Sequence, residues 1–285
     1  MRFLKKLIVA LAFAPTLVLA NEGGFPLDHA PDRTEVAALQ NGAKLFVNYC
    51  LNCHAASAMR YNRLRDLGLT EDQIKGNLLF AGDKVGDLMK VSLSAKDAKE
   101  WFGVAPPDLS VIARAKASEA GTGGDWIYTY LRSYYRDNSR PTGWNNAVFP
   151  NVGMPHVLWE LQGEKRGAEI SEVKEVKDAS GKVTGFSETT ATFDADGNRS
   201  EETKSLEGEH HHTGTHIKLM PVVGKQKLSA LEYDTEVADL VAYLEWMAEP
   251  AQTKRKALAV WVLLFLSLFA FLAWRLNASY WKEVK

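Results

Sequence analysis

Cysteine is scarce in this chain, which has only Cys50 and Cys53 among its 285 residues. Two cysteines cannot build a disulfide-rich fold, and they fall short of a zinc site, which would need a further Cys or Cys/His pair. No strand–helix–strand pattern surrounds them, so a thioredoxin-like redox pair is disfavoured as well. The sequence also shows no internal repeat.

Net charge is nearly absent, at −1, but the charges are unevenly distributed. The first twenty residues, positions 254–256 and the C-terminal tail together carry a net charge of +8, which leaves about −9 for residues 21–253. An acidic body of this kind suits a basic protein partner and argues against nucleic acid as a partner.

Long hydrophobic runs are confined to the two ends of the chain. Residues 1–20 combine a basic start, an apolar stretch and the small-residue site Val18-Leu19-Ala20, which is typical of a cleaved signal peptide. An uncleaved anchor is the alternative, although the apolar stretch is short for a membrane span. The signal peptide predicts that residues 21–253 form an exported domain.

The second hydrophobic run predicts a transmembrane anchor over residues 254–275, followed by a short tail at 276–285. Ala257–Trp274 provides 18 residues without a charge. At about 1.5 Å per residue these cover roughly 27 Å, enough for the hydrocarbon core of a bilayer. Basic residues are balanced on its two sides, so export of the body, rather than flanking charge, assigns the tail to the cytoplasm.

The most informative motif is Cys50-Leu51-Asn52-Cys53-His54. C-x-x-C-H is typical of covalent c-type haem attachment. The two-residue spacer separates the thiols as the two vinyl groups of one haem require, and His54 follows directly as an axial ligand of the iron. Export agrees with this interpretation, because c-type haem is joined to reduced thiols on the far side of the membrane.

Helical periodicity predicts two main helices, one from Thr34 to about Tyr49 and one over residues 233–248. Gly42 lies on the apolar face of the first, where a missing side chain lets another helix approach closely. Shorter helices are predicted at 94–102 and 125–136. An N-terminal helix crossed by a C-terminal helix, with C-x-x-C-H just after the first, resembles the class I cytochrome c fold. The expected fold class is therefore mainly α.

Residues 163–214 follow a different pattern, with sparse apolar residues among many charges and two turn signals. We interpret this polar, acidic insertion as a β-hairpin or a flexible loop. We expect it to extend into solvent, and contact with a partner is the less favoured alternative. His210, His211 and His212 lie within it and could bind a metal together with His216, although the pattern favours an exposed loop.

A six-coordinate haem needs a second axial ligand, and methionine suits an electron carrier because it raises the potential and leaves no position open to oxygen. Met154 and Met220 each precede a proline, and both remain candidates; Met154 is preferred because Gly153 and Pro155 restrict its loop. Arg114 and Lys116 follow the segment 106–110, where a basic side chain could neutralise a haem propionate. Two solvated basic residues are the alternative for that pair.

Taken together, the motifs make the chain similar to the cytochrome c1 family, the haem subunit of the bacterial cytochrome bc1 complex (ubiquinol–cytochrome c oxidoreductase). The resemblance rests on C-x-x-C-H with Met59-Arg60-Tyr61 after it, and on these further segments: Pro106–Ser110, Arg114-Ala115-Lys116, Arg140–Asn146, Val152–Pro155 and Trp246–Pro250 directly before the single C-terminal span.

The resemblance implies one covalent haem c, attached through Cys50 and Cys53, with His54 and Met154 as iron ligands. It also implies a place beside the cytochrome b and Rieske iron–sulfur subunits of a dimeric complex in the bacterial inner membrane, with the haem domain in the periplasm. The electron would come from the Rieske subunit and leave to a soluble or tethered cytochrome c. The chain would thus be an electron-transfer subunit of quinol–cytochrome c reductase, without bond-making catalytic residues of its own.

Two other functions stay open at the level of the sequence. One is a free-standing, membrane-anchored cytochrome c that serves another oxidase or reductase. The other is a haem-based sensor or catalyst with an open iron position, which the nearby methionines disfavour.

Overall fold

The computed structural model describes residues 25–91, 93–206 and 212–283. The signal peptide predicted at residues 1–20 lies outside the described residues, as do His210 and His211 of the histidine cluster. Within the described part, helices enclose one large apolar core, and a sheet built from the inserted residues packs beside it.

In chain order, the α-helices of the described residues are Val36–Leu45 (α1), Glu71–Asn77 (α2), Ala95–Phe102 (α3), Ile112–Ala115 (α4), Gly123–Arg132 (α5), Trp159–Gln162 (α6), Ala230–Ala248 (α7) and Gln252–Tyr280 (α8). A π-helix at Phe46–Cys50 continues α1, and 3₁₀-helices cover Tyr61–Leu67 and Trp281–Glu283. The helix predicted at 94–102 is confirmed, with Ser94 as its N-cap. The helix predicted at 125–136 ends earlier, at Arg132, because the chain then enters a strand.

The strands in the described part of the chain form three antiparallel sheets. Two are short pairs: Ala56–Arg60 (β1) with Leu88–Met89 (β2), and Tyr134–Arg136 (β3) with Trp144–Asn146 (β4). The third sheet has the order β7-β6-β5-β8 and contains Ala168–Lys177 (β5), Val183–Phe193 (β6), Arg199–Leu206 (β7) and Gly214–Leu219 (β8). The expectation of a mainly α fold is therefore only partly confirmed, since the sheets stand beside the helices.

Helices α1 and α7 cross at Gly42, as the sequence predicts. A methyl group on Gly42 would lie 2.1 Å from the carbonyl oxygen of Asp239 and 2.6 Å from Cβ of Tyr243. Only glycine permits this approach, because real Cβ atoms do not come so close to other heavy atoms. The start of α1 differs from the prediction: it begins at Val36 after Glu35, and no side chain caps it.

Of the hairpin or flexible loop expected at 163–214, the described residues show hairpins, and these belong to a larger four-stranded sheet. Strand β5 pairs with β8 on one side and with the β6–β7 hairpin on the other. Ala168 and Phe193 pack against Tyr135 of the helical domain, so one end of the sheet is fixed to it. The expectation that the insertion only extends into solvent is therefore wrong for this end of it.

The C-terminal helix α8 carries the predicted span and is longer than expected. Within it, Lys254–Tyr280 is the one candidate of sufficient length and apolarity to cross a membrane among the described residues, with a mean hydropathy of 2.5. Pro250 interrupts the chain between α7 and α8, as expected for a residue that cannot continue a helix. Glu249 joins the two sides of this break, because Arg255 donates to it at 2.6 Å.

Candidate functional site

The C-x-x-C-H motif folds into one tight turn at the end of the first helix. Cys50 ends the π-helix, and its carbonyl oxygen accepts hydrogen bonds from the backbone N–H of Cys53 at 3.1 Å and of His54 at 2.8 Å. Single π-helical turns that interrupt or end α-helices are frequent at functional sites. The turn brings both thiols and the imidazole to the same cavity.

The two thiols do not have the environment of a redox pair. Burial and the neighbouring Cys53 raise the pKa of Cys50 to about 12, and burial also raises the pKa of Cys53. Reactive thiol pairs have depressed pKa values, since the thiolate is the nucleophile. The direction of both pKa shifts therefore agrees with the sequence, which disfavours a thioredoxin-like pair.

His54 is held in the tautomer that suits a metal ligand. Its Nδ1 lies 2.8 Å from the carbonyl oxygen of Pro107, and because a carbonyl can only accept, Nδ1 carries the hydrogen. The lone pair of Nε2 is thereby left for a metal, an arrangement typical of ligating histidines. Burial lowers the pKa of His54, which favours the neutral ring.

The segment 106–110 is fixed to the residues that follow His54. The backbone N–H of Leu109 donates to the carbonyl of Ala55, and the carboxylate of Asp108 accepts from the N–H of Ser57 at 2.8 Å. Partial burial raises the pKa of Asp108, but hydrogen bonds from Ser110 and Ser57 outweigh this and bring it to about 2. The Pro-Pro-Asp motif thus acts as a support for the His54 ring.

The cavity beside the motif is apolar and has a volume of about 300 Å³. Its lining comes from the π-helix, from α3, α4, α5 and α7, and from loops between them. The apolar part includes Ile112, Trp126, Ile127, Leu131, Leu240 and Leu244. Concave sites with mostly apolar walls and a few convergent polar groups are typical of cofactor binding. The donor set of two thiols, one imidazole and one thioether fits a c-type haem in this cavity.

Met154 lines this cavity, whereas Met220 lies at the end of β8. The backbone N–H of Met220 donates to the carbonyl of Gly167, and the sulfur lies 3.1 Å from the position that a methyl group on Gly167 would take. The fold therefore brings one of the two candidate methionines to the cavity that also contains His54.

Two tyrosine hydroxyls form a hydrogen-bond chain that ends at the sulfur of Met154. The hydroxyl of Tyr130 lies 3.5 Å from Sδ, and the hydroxyl of Tyr134 lies 2.7 Å from that of Tyr130. Tyr134 donates to Tyr130, so the single hydrogen of Tyr130 is available for the sulfur. The sequence analysis missed both residues, although their i, i+4 spacing near the end of the predicted helix is a signal that they share a face.

The loop that carries Met154 is held by the polar segment at 140–146, for which the sequence analysis predicted no role. Arg140 donates to the carbonyl oxygen of Asn151 at 2.9 Å, and Asn145 accepts from the N–H of Asn151 at 2.8 Å. Asn146 is fully buried, accepts from the N–H groups of residues 148 and 149, and donates to the carbonyl of Tyr130. One asparagine thus joins the methionine loop to α5.

The two basic candidates, Arg114 and Lys116, are separated by the structure. Lys116 lines the cavity, and its Nζ lies 4.1 Å from the centre of the Trp126 ring. Arg114 points elsewhere, to Glu249 at 3.6 Å, and its side chain is 63% exposed. Of the pair, Lys116 is the one placed to meet an acidic group on a bound cofactor.

His156 lies in the loop after Met154 and is buried. Its ring stacks on that of Tyr134 with 4.8 Å between the centroids, and Nε2 lies 2.7 Å from the Gln162 side chain. Burial lowers its pKa to about 3, so the ring is neutral. His156 therefore packs behind the tyrosines.

Residues 25–180 and 211–284 match the model of the Cytochrome C1 family. The chain belongs to the cytochrome c1 family. The resemblance found in the sequence is thereby confirmed, and membership implies a c-type haem and electron transport in complex III of the respiratory chain.

Individual relatives support the assignment over the whole chain. A cytochrome c1 of Allochromatium vinosum is 40% identical over 286 residues, covering 99% of this chain and all of the relative. The ammonia monooxygenase gamma subunit of Nitrosomonas europaea is 39% identical over the full length of both chains. A cytochrome c1 of Rhodospirillum rubrum is 27% identical and covers 93% of this chain and 91% of the relative.

Proposed function

We propose that this chain receives an electron from the Rieske iron–sulfur subunit and passes it to cytochrome c, as the haem subunit of ubiquinol–cytochrome c oxidoreductase. The observation that carries the proposal is that Cys50, Cys53, His54 and Met154 line one apolar cavity in a chain with one candidate membrane span. Cytochrome b and the Rieske subunit are the proposed partners in a dimeric complex of the bacterial inner membrane.

Each side chain of the site has a distinct proposed role. Cys50 and Cys53 attach one haem, His54 and Met154 ligate its iron, and Lys116 neutralises a propionate. Bound haem supplies a one-electron ferric–ferrous couple. The apolar walls would exclude water and stabilise the state of lower charge, and a methionine ligand would raise the potential.

The topology proposed for the chain follows from its two ends. Residues 1–20 direct export, 21–253 form the periplasmic haem domain, 254–275 anchor it, and 276–285 lie in the cytoplasm. The candidate span and the aromatic residues near its ends support the anchor, and the predicted signal peptide supports the orientation.

Co-purification and quinol-driven reduction test the function. We expect a tagged chain, extracted from membranes in mild detergent, to retain cytochrome b and the Rieske subunit, and its haem to be reduced by quinol only when the Rieske subunit is present. Isolation of the chain alone, with haem reduced by another donor, would favour a free-standing cytochrome. Recovery with subunits of a monooxygenase would instead favour the function named for the Nitrosomonas relative.

Removal of the Tyr130 hydroxyl should lower the midpoint potential. A hydrogen bond to the sulfur of Met154 weakens electron donation to ferric iron, so Tyr130→Phe favours the ferric state. Taking the net free energy of one hydrogen bond as about 0.5–1.5 kcal/mol, the expected decrease in a redox titration is roughly 20–60 mV. Tyr128→Phe, in the same helix but not in the cavity lining, is the matched control. Equal midpoint potentials for the two variants would show that the Tyr130 hydroxyl does not influence the potential of the haem.

A further inference from the structure

The short strand β3 lies between the cavity and the inserted sheet. Successive side chains of a strand point to opposite faces, and β3 follows this rule. Tyr134 donates to Tyr130, which in turn donates to the sulfur of Met154. Tyr135 instead packs against Ala168 and Phe193 of the sheet. The backbone N–H of Arg136 also donates to the carbonyl of Arg166, two residues before β5, at 2.8 Å. Strand β3 therefore contacts both the inserted sheet and the tyrosine pair beside Met154.

A second connection runs from the β6–β7 turn, at residues 194–198, to Asn138. The backbone N–H of Asn138 donates to the carbonyl of Gly197 at 3.0 Å, and its side-chain amide donates to the carbonyl of Asp196 at 3.0 Å. Lys165 adds an ion pair to Asp196 at 2.6 Å. Gly197 fits closely, because a methyl group on it would lie 2.7 Å from Oδ1 of Asn138.

Asn138 belongs to the loop that holds the methionine segment. Residues 137–143 are closed by backbone hydrogen bonds from Asp137 to Gly143 and from Gly143 to Arg140. The Arg140 side chain then bonds Asn151, which has a left-handed backbone with φ of 62° and lies three residues before Met154. Position 151 needs this support, since non-glycine residues rarely adopt such a conformation.

We propose that the β6–β7 turn is a positioning element for Met154, which clamps the 137–143 loop and thereby holds the methionine segment in place. The inference rests on the proposed role of Met154 as iron ligand. The turn belongs to residues 181–210, the part of the sequence between the two regions matched by the family model. In this proposal the insertion helps to hold the methionine ligand of the iron in place, and does more than extend into solvent.

Two glycine variants of the full chain with haem attached form the test. Gly197→Ala disturbs the contact with Asn138. Gly181→Ala is the matched control, since Gly181 lies in the similar β5–β6 turn with a φ of 83° against 89° at Gly197, yet nothing lies within 4 Å of an added methyl group. The backbone strain is therefore alike in both variants, and only the first affects the clamp.

The readout is the rate at which carbon monoxide binds ferrous haem, because a methionine ligand must leave first. We expect an increase of about two- to tenfold in Gly197→Ala, the factor for loss of one hydrogen bond, and an unchanged rate in Gly181→Ala. Asn138→Ala, which removes the partner without straining the turn, should reproduce the increase. Ferric haem with a methionine ligand has a weak absorption band near the red end of the visible spectrum. On heating, this band should disappear at a lower temperature in Gly197→Ala and Asn138→Ala than in the wild type.

The outcomes separate this proposal from the proposed function. If Met154→Leu raises the carbon monoxide rate but Gly197→Ala and Asn138→Ala match the wild type, the clamp is overturned and the ligand assignment stands. If Met154→Leu leaves the rate unchanged, the ligand assignment fails and the clamp fails with it.

Discussion

Met154→Leu is expected to abolish the weak red absorption band of ferric haem and to lower the midpoint potential on the order of 100 mV, since axial ligands move haem potentials over about 0.8 V. Leucine has a similar volume and keeps the cavity filled, so the fold should tolerate the change. It provides no sulfur, and the soft donor that favours ferrous iron is lost. Optical spectra and a redox titration measure both effects.

Met220→Leu is the matched control for this prediction. Met220 also precedes a proline, but it packs beside Gly167 rather than in the cavity. Its replacement should leave the band and the potential as they are in the wild type. Loss of the band in Met220→Leu, with the band retained in Met154→Leu, would reverse the ligand assignment.

Gly42→Ala is expected to have the largest effect on stability. The added methyl group would lie 2.1 Å from backbone oxygen in α7, so the two core helices must move apart. Overpacking of this kind costs about 1–3 kcal/mol and occasionally more, and contact with rigid backbone places this site at the upper end. Thermal unfolding, followed by circular dichroism, should show a midpoint lower by roughly 6–12 °C.

Gly76→Ala provides the matched control in another helix. Gly76 lies inside α2, and no atom lies within 4 Å of an added methyl group. There the substitution should raise the free energy of unfolding by about 0.5–1 kcal/mol, because alanine is the better helix former. Unfolding of Gly42→Ala at or above the wild-type midpoint would show that the close crossing does not exist in solution.

The attachment motif could be predicted because its information is local. Cys50, Cys53 and His54 are within five residues of one another, so their spacing already indicates their chemistry. The crossing at Gly42 was also predictable, since glycine on an apolar helix face has few other reasons to be there. The second ligand needed the fold, because Met154 and Met220 have equivalent local sequences and differ only in which one reaches the cavity.

The inserted sheet could not be predicted from alternation alone. In β7 nearly every residue is exposed, so no apolar face marks the strand. Its existence depends on pairing with β6, which in turn pairs with β5. The docking of the sheet depends on Tyr135, which lies far away in the sequence from Phe193 and was assigned to a helix in the sequence analysis.

The division of roles between Arg114 and Lys116 was likewise beyond the sequence. The two residues are close along the chain, and both are basic. Their side chains point in different directions because each has its own partner. Glu249, located after α7, pairs with Arg114, while Trp126 of α5 provides an aromatic face for Lys116. Both partners come from distant parts of the chain, so their effect appears only after folding.

The measurement that tests the account most directly is haem retention after acid–acetone extraction of the purified chain. We expect the wild type to keep one haem per chain on a denaturing gel, and the variant with both Cys50 and Cys53 replaced by serine to release it into the solvent. Haem extracted from the wild type, or haem still bound to the double serine variant, would contradict covalent attachment at this motif.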